Sequence, residues 1–281
     1  MWRDKVVLGR TGLSVSRLGI ASSFGVQARD VERAFERGIN YLYWGTARTA
    51  PFGEALRNLG AKRREAMVTV IQSYTRVGAL MRPSLERALR ATKLEYTDVL
   101  LLGWWNQPPP RRILDAAIAL RESGKARHIV ISCHDRHTFA RYAADPTYGA
   151  IMVRYNAAHP GAEREVFPYL GERPPGVVAY TATRWGALLD PLMVPEGERA
   201  PRASDCYRFA LSHRAVNVVL FGPRDGADVD EALTTLDRGP MSEDELAWMK
   251  RVGAGVREKA ANARRFAPVR LLDRIAGGST E

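Results

Sequence analysis

The amino-acid sequence predicts a closed (β/α)8 barrel, and three observations carry that expectation. Eight short β-rich runs alternate with longer stretches of helical period, the pattern of successive βα units. Several runs, such as Val99–Leu102 and Ile129–Ile131, are continuously apolar, as suits a parallel sheet covered on its outer face. The 281 residues, 46% of them hydrophobic, suffice for one large α/β domain, and no low-complexity linker divides them. Eight such units favour closure into a TIM barrel over an open doubly wound sheet. A single domain over residues 1–281 is expected, with the tail from about residue 262 peripheral.

The predicted strands are Leu18–Ala21, Asn40–Trp44, Ala66–Ser73, Thr97–Gly103, Ala126–Ser132, Ala150–Tyr155, Gly176–Thr181 and Val216–Phe221. Between them lie amphipathic faces, such as Val31, Ala34, Phe35 and Gly38 before the second strand, and Ile113, Ala116, Ala117 and Leu120 before the fifth. Pro108–Pro110 opens the helix after the fourth strand and Gly124 closes it. Ser242 and Glu245 make a capping box for an extra helix after the eighth unit. Function in such a barrel gathers at the carboxyl ends of the strands, where the βα loops meet.

Composition excludes some classes of function. Lys and Arg outnumber Asp and Glu by 42 to 31, a net charge of +11, but the positive residues are spread along the helices and form no nucleic-acid-binding module. Nucleic-acid binding is therefore not expected. No segment has the length and apolarity of a membrane span or signal peptide, so a cytoplasmic protein is expected. The two cysteines, Cys133 and Cys206, are not spaced as a metal clamp and read as free thiols; no metal site is expected.

LGRTGLSVSRLG at Leu8–Gly19, GIN at Gly38–Asn40, SLERALRATKLEYTDVLLL at Ser84–Leu102, GKARHIVIS at Gly124–Ser132, AYTATRWGALL at Ala179–Leu189 and MSEDELAWM at Met241–Met249 follow one another in a familiar order. Together they resemble the aldo-keto reductases over about nine-tenths of the chain, a far more specific match than one motif. The resemblance implies an amino-terminal β-hairpin below the barrel. It also implies carbonyl reduction with NADPH, in which an Asp, Tyr, Lys and His tetrad supplies and tunes the proton.

Carried over position by position, the tetrad is not found. Tyr43 occupies the aspartate's place in YLYWGTA, or Gly45 does if Thr46–Ala47 is set on the family's Thr–Ala pair. FGEAL at Phe52–Leu56 resembles the start of the family's second helix, so the loop that carries the tyrosine is shortened. Gln72 or Ser73 ends the strand where the lysine is expected, and Gly103 precedes Trp104 where the histidine is expected.

The cofactor positions are partly matched. By resemblance Ser132 and Tyr180 would hold and stack on the nicotinamide, although Cys133 and Met152 replace an asparagine and a glutamine. Gly222, Arg224 and Glu231 fit the phosphate and adenine loop, but Asp228 stands at its basic position and Ala232 at its asparagine. An aspartate facing a 2′-phosphate repels it, which leaves NADH as open as NADPH.

The rim offers aromatic and cationic groups instead. Trp44, Arg48, Ser73, Trp104, Trp105, Arg154 and Trp185 are candidate pocket residues for a small organic ligand, apolar or flat and carrying negative charge. Some of these side chains would alternatively pack beneath loops. Catalytic residues are not assigned; Tyr43 as a replacement acid and His134 beyond the fifth strand are the candidates. A Cys133 nucleophile is not expected, because the adjacent His134 would point the other way on a strand. Three readings follow: a ligand-binding barrel without tetrad-based reduction, a divergent NAD(P)H oxidoreductase with a relocated proton donor, or an inactive interaction protein on the same scaffold.

Overall fold

Alternation of side chains along eight short strands builds the molecule from the inside outward. The computed structural model describes residues 2–45 and 47–276, with side chains as far as residue 262. A two-stranded antiparallel hairpin comes first, β1 (Val6–Val7) with β2 (Ser14–Val15). The chain then runs β3 (Leu18–Ala21), α1 (Ala28–Glu36), β4 (Tyr41–Trp44), α2 (Ala50–Arg63), β5 (Val68–Ser73), α3 (Met81–Thr92), β6 (Thr97–Leu102) and α4 (Arg111–Glu122). It continues with β7 (Ala126–Ser132), α5 (Phe139–Ala144), β8 (Tyr148–Arg154), α6 (Ala162–Glu165), β9 (Gly176–Tyr180), α7 (Ala203–Ser212), β10 (Val218–Phe221), α8 (Gly226–Arg238) and α9 (Glu243–Ala276). Strands β3 to β10 pair in parallel and in sequence, and β10 returns to β3 to close the barrel. All eight expected strands form, each within two residues of its expected ends.

A strand buried on both faces puts alternate residues into two different cores. Tyr41, Tyr43, Val70, Leu101, Val130 and Met152 fill the barrel interior. Their neighbours Leu42, Trp44, Ile71, Leu100, Ile129 and Ile151 pack beneath the helices. The expected punctuation also forms: α4 begins after Pro110, and Gly124 follows it with a left-handed φ of 71°. The Ser242 amide donates to Glu245 Oε2 at 2.9 Å while the Glu245 amide donates back to Ser242 Oγ at 3.2 Å, the reciprocal capping box at the start of α9.

The hairpin closes the amino-terminal end of the barrel. Leu8 and Val15 join the interior core. Arg10, from the turn between β1 and β2, donates to the carbonyls of Arg173 at 2.8 Å and Asp145 at 3.0 Å. On the outer wall, Asp205 at 1% exposure and Arg208 at 3% are buried charges. Arg238 reaches Asp205 at 2.7 Å, Arg199 reaches it at 3.2 Å, and Arg208 pairs with Glu245 at 2.5 Å, tying α7, α8 and α9 together. No helix among the described residues is long and apolar enough to cross a membrane, and no group of side chains there could hold a metal ion.

Candidate functional site

At the carboxyl end of the barrel the strand periodicity decides which side chains meet. Tyr43 on β4 and Gln72 on β5 both point inward, and the Tyr43 hydroxyl donates to Gln72 Oε1. Ser73, one residue further on, faces the helices by alternation, and its Oγ accepts the Thr75 amide at 3.4 Å. Gly103, just past β6, leaves space that its neighbours use: a Cβ there would overlap Gln72 Nε2 and the Tyr74 ring. Tyr43, Gln72 and Gly103 thus form one packed patch of floor, with a neutral amide at its centre.

Above this floor opens a cavity of ≈ 400 Å³. Ala21, Met152 and Leu220 supply apolar surface, and Phe24, Tyr74, Trp104, Tyr180 and Trp185 surround it with rings. Among the described residues five non-glycine positions have positive φ; Trp104, Thr181 and Trp185 of these line the cavity, and Arg184 lies between the last two. Such backbone costs energy and persists where surrounding bonds over-determine it. At Trp104 those bonds are visible. Its amide donates to Ser132 Oγ at 3.0 Å, and Arg76 donates to the carbonyls of Gly103 at 3.1 Å and Trp104 at 2.8 Å.

His134 stands in the cavity wall with the edge of its ring against Trp104, the ring centres 5.3 Å apart. Arg154, the last residue of β8, donates from Nη2 to His134 Nδ1 at 3.1 Å and lies 5.1 Å above the Trp185 ring. A guanidinium only donates, so His134 Nδ1 accepts and Nε2 carries the proton of the neutral ring. Burial and then the Arg154 charge lower the His134 pKa, which keeps the ring neutral near pH 7. His134 is therefore suited to donate a hydrogen bond rather than to deliver a proton. Burial pushes the Tyr180 hydroxyl up to about 12 despite Arg154 nearby. Burial also pushes the Cys133 thiol up to about 11, and its Sγ donates to the Asp135 carbonyl at 2.9 Å, so it has no thiolate character.

The rim residues read from the sequence separate into two groups. Tyr43, Trp104, His134, Tyr180, Trp185 and Gly222 meet at the cavity, with Arg154 behind His134. Trp44 does not line it, because its even-numbered position on β4 turns the ring onto Gly53 of α2, where Nε1 donates to the Thr49 carbonyl at 3.1 Å. Trp105 turns the same way into the outer core, its ring capped by Arg76 at 4.0 Å. Ser73 faces outward, and Arg48 donates to the Gln72 carbonyl at 2.5 Å and approaches Trp44. Ser132 lies beneath the rim, its Oγ engaged by Trp104. Thr46, on which the alternative alignment of the aspartate position turns, lies outside the described residues. Phe24 and Tyr207 also line the cavity and were not among the sequence candidates. Phe24 follows β3, and the rule that every βα loop opens on one face was signal enough to include it.

Beyond Gly222 the groove meets the start of α8. Arg224 there is exposed and tied to Asp228 by two side-chain bonds of 2.9 and 3.1 Å. Glu231 turns toward α7, accepting the Ser204 hydroxyl at 2.6 Å and its amide at 3.2 Å. The Phe24 ring lies against Gly222, where an added Cβ would strike it.

A profile of the Aldo/keto reductase family matches residues 10–192. The chain belongs to the aldo/keto reductase family. Among solved structures it is similar to an aldo-keto reductase from Bacillus halodurans in its holo form, with 19% identity over 89% of this chain and 96% of that one and a TM-score of 0.75. An aldo/keto reductase from Klebsiella pneumoniae in complex with NADP and acetate gives the same identity, coverage and TM-score. A putative 2,5-diketo-D-gluconic acid reductase B is 21% identical, covers 89% of this chain and 91% of that one, and has a TM-score of 0.71. At these identities the likeness is one of fold. No curated protein matches the chain. For this family member the closed barrel and the position of its mouth are thereby secure, while its chemistry rests on its own side chains.

Proposed function

We propose that this aldo/keto-reductase-fold protein binds a small, flat organic anion at the barrel mouth and does not carry out tetrad-based carbonyl reduction. The observation that carries the reading is the floor patch. By resemblance Tyr43 or Gly45, Gln72 or Ser73, and Gly103 stand at the positions of aspartate, lysine and histidine. The Tyr43 hydroxyl donates to the neutral amide oxygen of Gln72, where the family's tetrad would bring charged groups together. The rim supports a ligand instead. Trp104 and Trp185 offer ring faces and edges, while Arg154 and the Nε2–H of His134 supply positive charge and a donor.

The phosphorylated end of the family's cofactor does not fit the residues present. The single arginine between residues 222 and 231 is neutralised by Asp228, and Glu231 is already engaged by Ser204. At the nicotinamide end Ser132 is buried, and its Oγ accepts the Trp104 amide. A second reading, a divergent NADH- or NADPH-dependent oxidoreductase with a relocated proton donor, is favoured by the continuous trough along Met152, Tyr180 and Gly222. The NADP seen with the Klebsiella pneumoniae structure lends it the precedent of fold. An inactive interaction protein is disfavoured by the open cavity, since Trp44 points away from it and Trp104 stands at its rim, 56% exposed.

Titration of the full chain with NADH, NADPH and a panel of aromatic carboxylates, read by thermal shift and tryptophan fluorescence, separates these readings. The expected result is saturable carboxylate binding that Arg154→Ala weakens. Robust NADPH-dependent reduction of aldehydes or quinones, abolished by a mouth substitution, would overturn the proposal.

A further inference from the structure

A second cavity of ≈ 400 Å³ lies beside the mouth, between the segment that follows β8 and helix α9. Arg136, His159, Gly161, Glu163, Arg164 and Arg257 line it. The arginines reach this place from separate parts of the chain. Arg136 follows β7, Arg164 belongs to α6 and Arg257 to α9. Two more act on His159 from the flank: Arg154 at the end of β8, and Arg184, which donates to the Val256 carbonyl of α9 at 2.9 Å.

Carboxylates are fewer here and already engaged. Glu165 accepts Arg136 at 2.6 Å and lies 3.8 Å from Arg164. Glu163 Oε1 accepts the Tyr155 hydroxyl at 2.7 Å. Among the described residues that line the cavity, three guanidinium groups thus stand against one carboxylate, Glu163, with Glu165 beside them. Arg136 is also seated closely: its guanidinium lies on Gly161, where any Cβ would collide with it.

His159 registers the resulting field. Burial first, then Arg184, Arg154, Arg136 and Arg257, lower its pKa to about 4. Its Nδ1 is sealed from solvent without a hydrogen-bond partner, which disfavours the doubly protonated ring further, since an orphaned N–H is costlier than an orphaned lone pair. Converging like charges are unfavourable unless a counter-charge joins them.

We propose that this cavity binds a doubly charged oxyanion, the phosphoryl group of a small phosphorylated molecule, with Arg136, Arg164 and Arg257 as its charge partners. Guanidinium forks match the oxygens of a phosphoryl group in pairs, and the space available exceeds what a bare oxyanion needs. The site is separate from the mouth cavity and stands whether or not an organic anion binds there. No bond is made or broken in it.

The test is calorimetric titration of the full chain with inorganic phosphate and with glycerol 3-phosphate, against chloride at matched ionic strength. The expected result is saturable one-to-one binding, tighter for the monoester than for inorganic phosphate. Arg164→Ala and Arg257→Ala should each weaken it by about tenfold or more, the loss of one charge-assisted contact, and Arg90→Ala on α3 should leave it unchanged. In parallel, the ring signals of His159 in NMR should titrate at higher pH when phosphate is saturating, because a bound anion offsets the arginine field. Thermal melts of the variants check that they fold, and Arg164→Lys, which keeps the charge but loses the fork, gives an intermediate affinity. Equal binding of chloride and phosphate, affinity for inorganic phosphate alone, or a phosphate affinity untouched by both alanine variants overturns the proposal.

Discussion

The Tyr43 hydroxyl donates its proton to the side-chain carbonyl of Gln72 across the floor of the barrel, joining β4 to β5 where both strands end. The bond holds the amide so that its Nε2 occupies the space beside Gly103.

Gly103→Ala should therefore destabilise the protein, because the new methyl group meets Gln72 Nε2 and the Tyr74 ring at once. Overpacking of this kind costs about 1–3 kcal/mol. Chemical denaturation measures it, and an unchanged midpoint would show that the floor has room to spare.

Arg154→Ala should raise the pKa of His134, since burial and the Arg154 charge both lower it and only the first remains. Proton NMR of the five histidines follows the change. The same variant should bind an aromatic carboxylate more weakly than the native protein, with its fold intact by circular dichroism.

Acid should weaken the fold through His159. Its folded pKa, about 4, lies below the unfolded value of about 6.5, so the unfolded chain binds the extra proton between those values. The contribution is whole above about pH 6.5 and is lost as the pH falls toward 4. From pH 8 down to pH 4 the melting temperature of the native protein should fall further than that of His159→Asn, which has no titrating group at that position.

Asp228→Ala releases Arg224 from its ion pair. NADPH should then gain affinity relative to NADH, because a free guanidinium faces the 2′-phosphate in place of a neutralised one. Paired titrations of the two dinucleotides read the ratio, and a ratio that stays fixed would show that the loop does not meet the cofactor.

Asp205→Ala removes the carboxylate shared by Arg199 and Arg238 and leaves Arg208 buried beside an empty position. Because Arg199 and Arg238 reach solvent and Arg208 keeps Glu245, the loss should be about 1.5–3 kcal/mol, that of charge-assisted hydrogen bonds rather than of a stranded charge. Urea unfolding followed by circular dichroism tests this.

The barrel was legible in the sequence because each strand carries its own apolar run and each helix its own stripe. Even the capping box of Ser242 and Glu245 could be read from four residues. The mouth was legible only to the loop. Trp44 and Trp105 stand at strand ends as expected, yet strand alternation and the Trp104 turn send both rings outward. Counting by twos from Tyr41 would have placed Trp44 correctly, whereas nothing local announces that Trp104 adopts φ 58° and reverses the face of its neighbour. Gln72 and Ser73 were likewise open until the pairing register fixed which one faces inward. The arginine cavity was invisible for another reason: Arg136, Arg164 and Arg257 are far apart in the chain and meet only once α9 lies against the loops.

The hairpin and Arg10 have a kinetic consequence. With Leu8 and Val15 stoppering one end of the barrel, a ligand at the other end arrives and departs by the same route. Its residence time is then set by the rim segments carrying Trp104 and Trp185, whose left-handed backbones resist rearrangement. A glycine at either position removes a ring from the cavity wall, so exchange should quicken chiefly through faster release, with a matching loss of affinity.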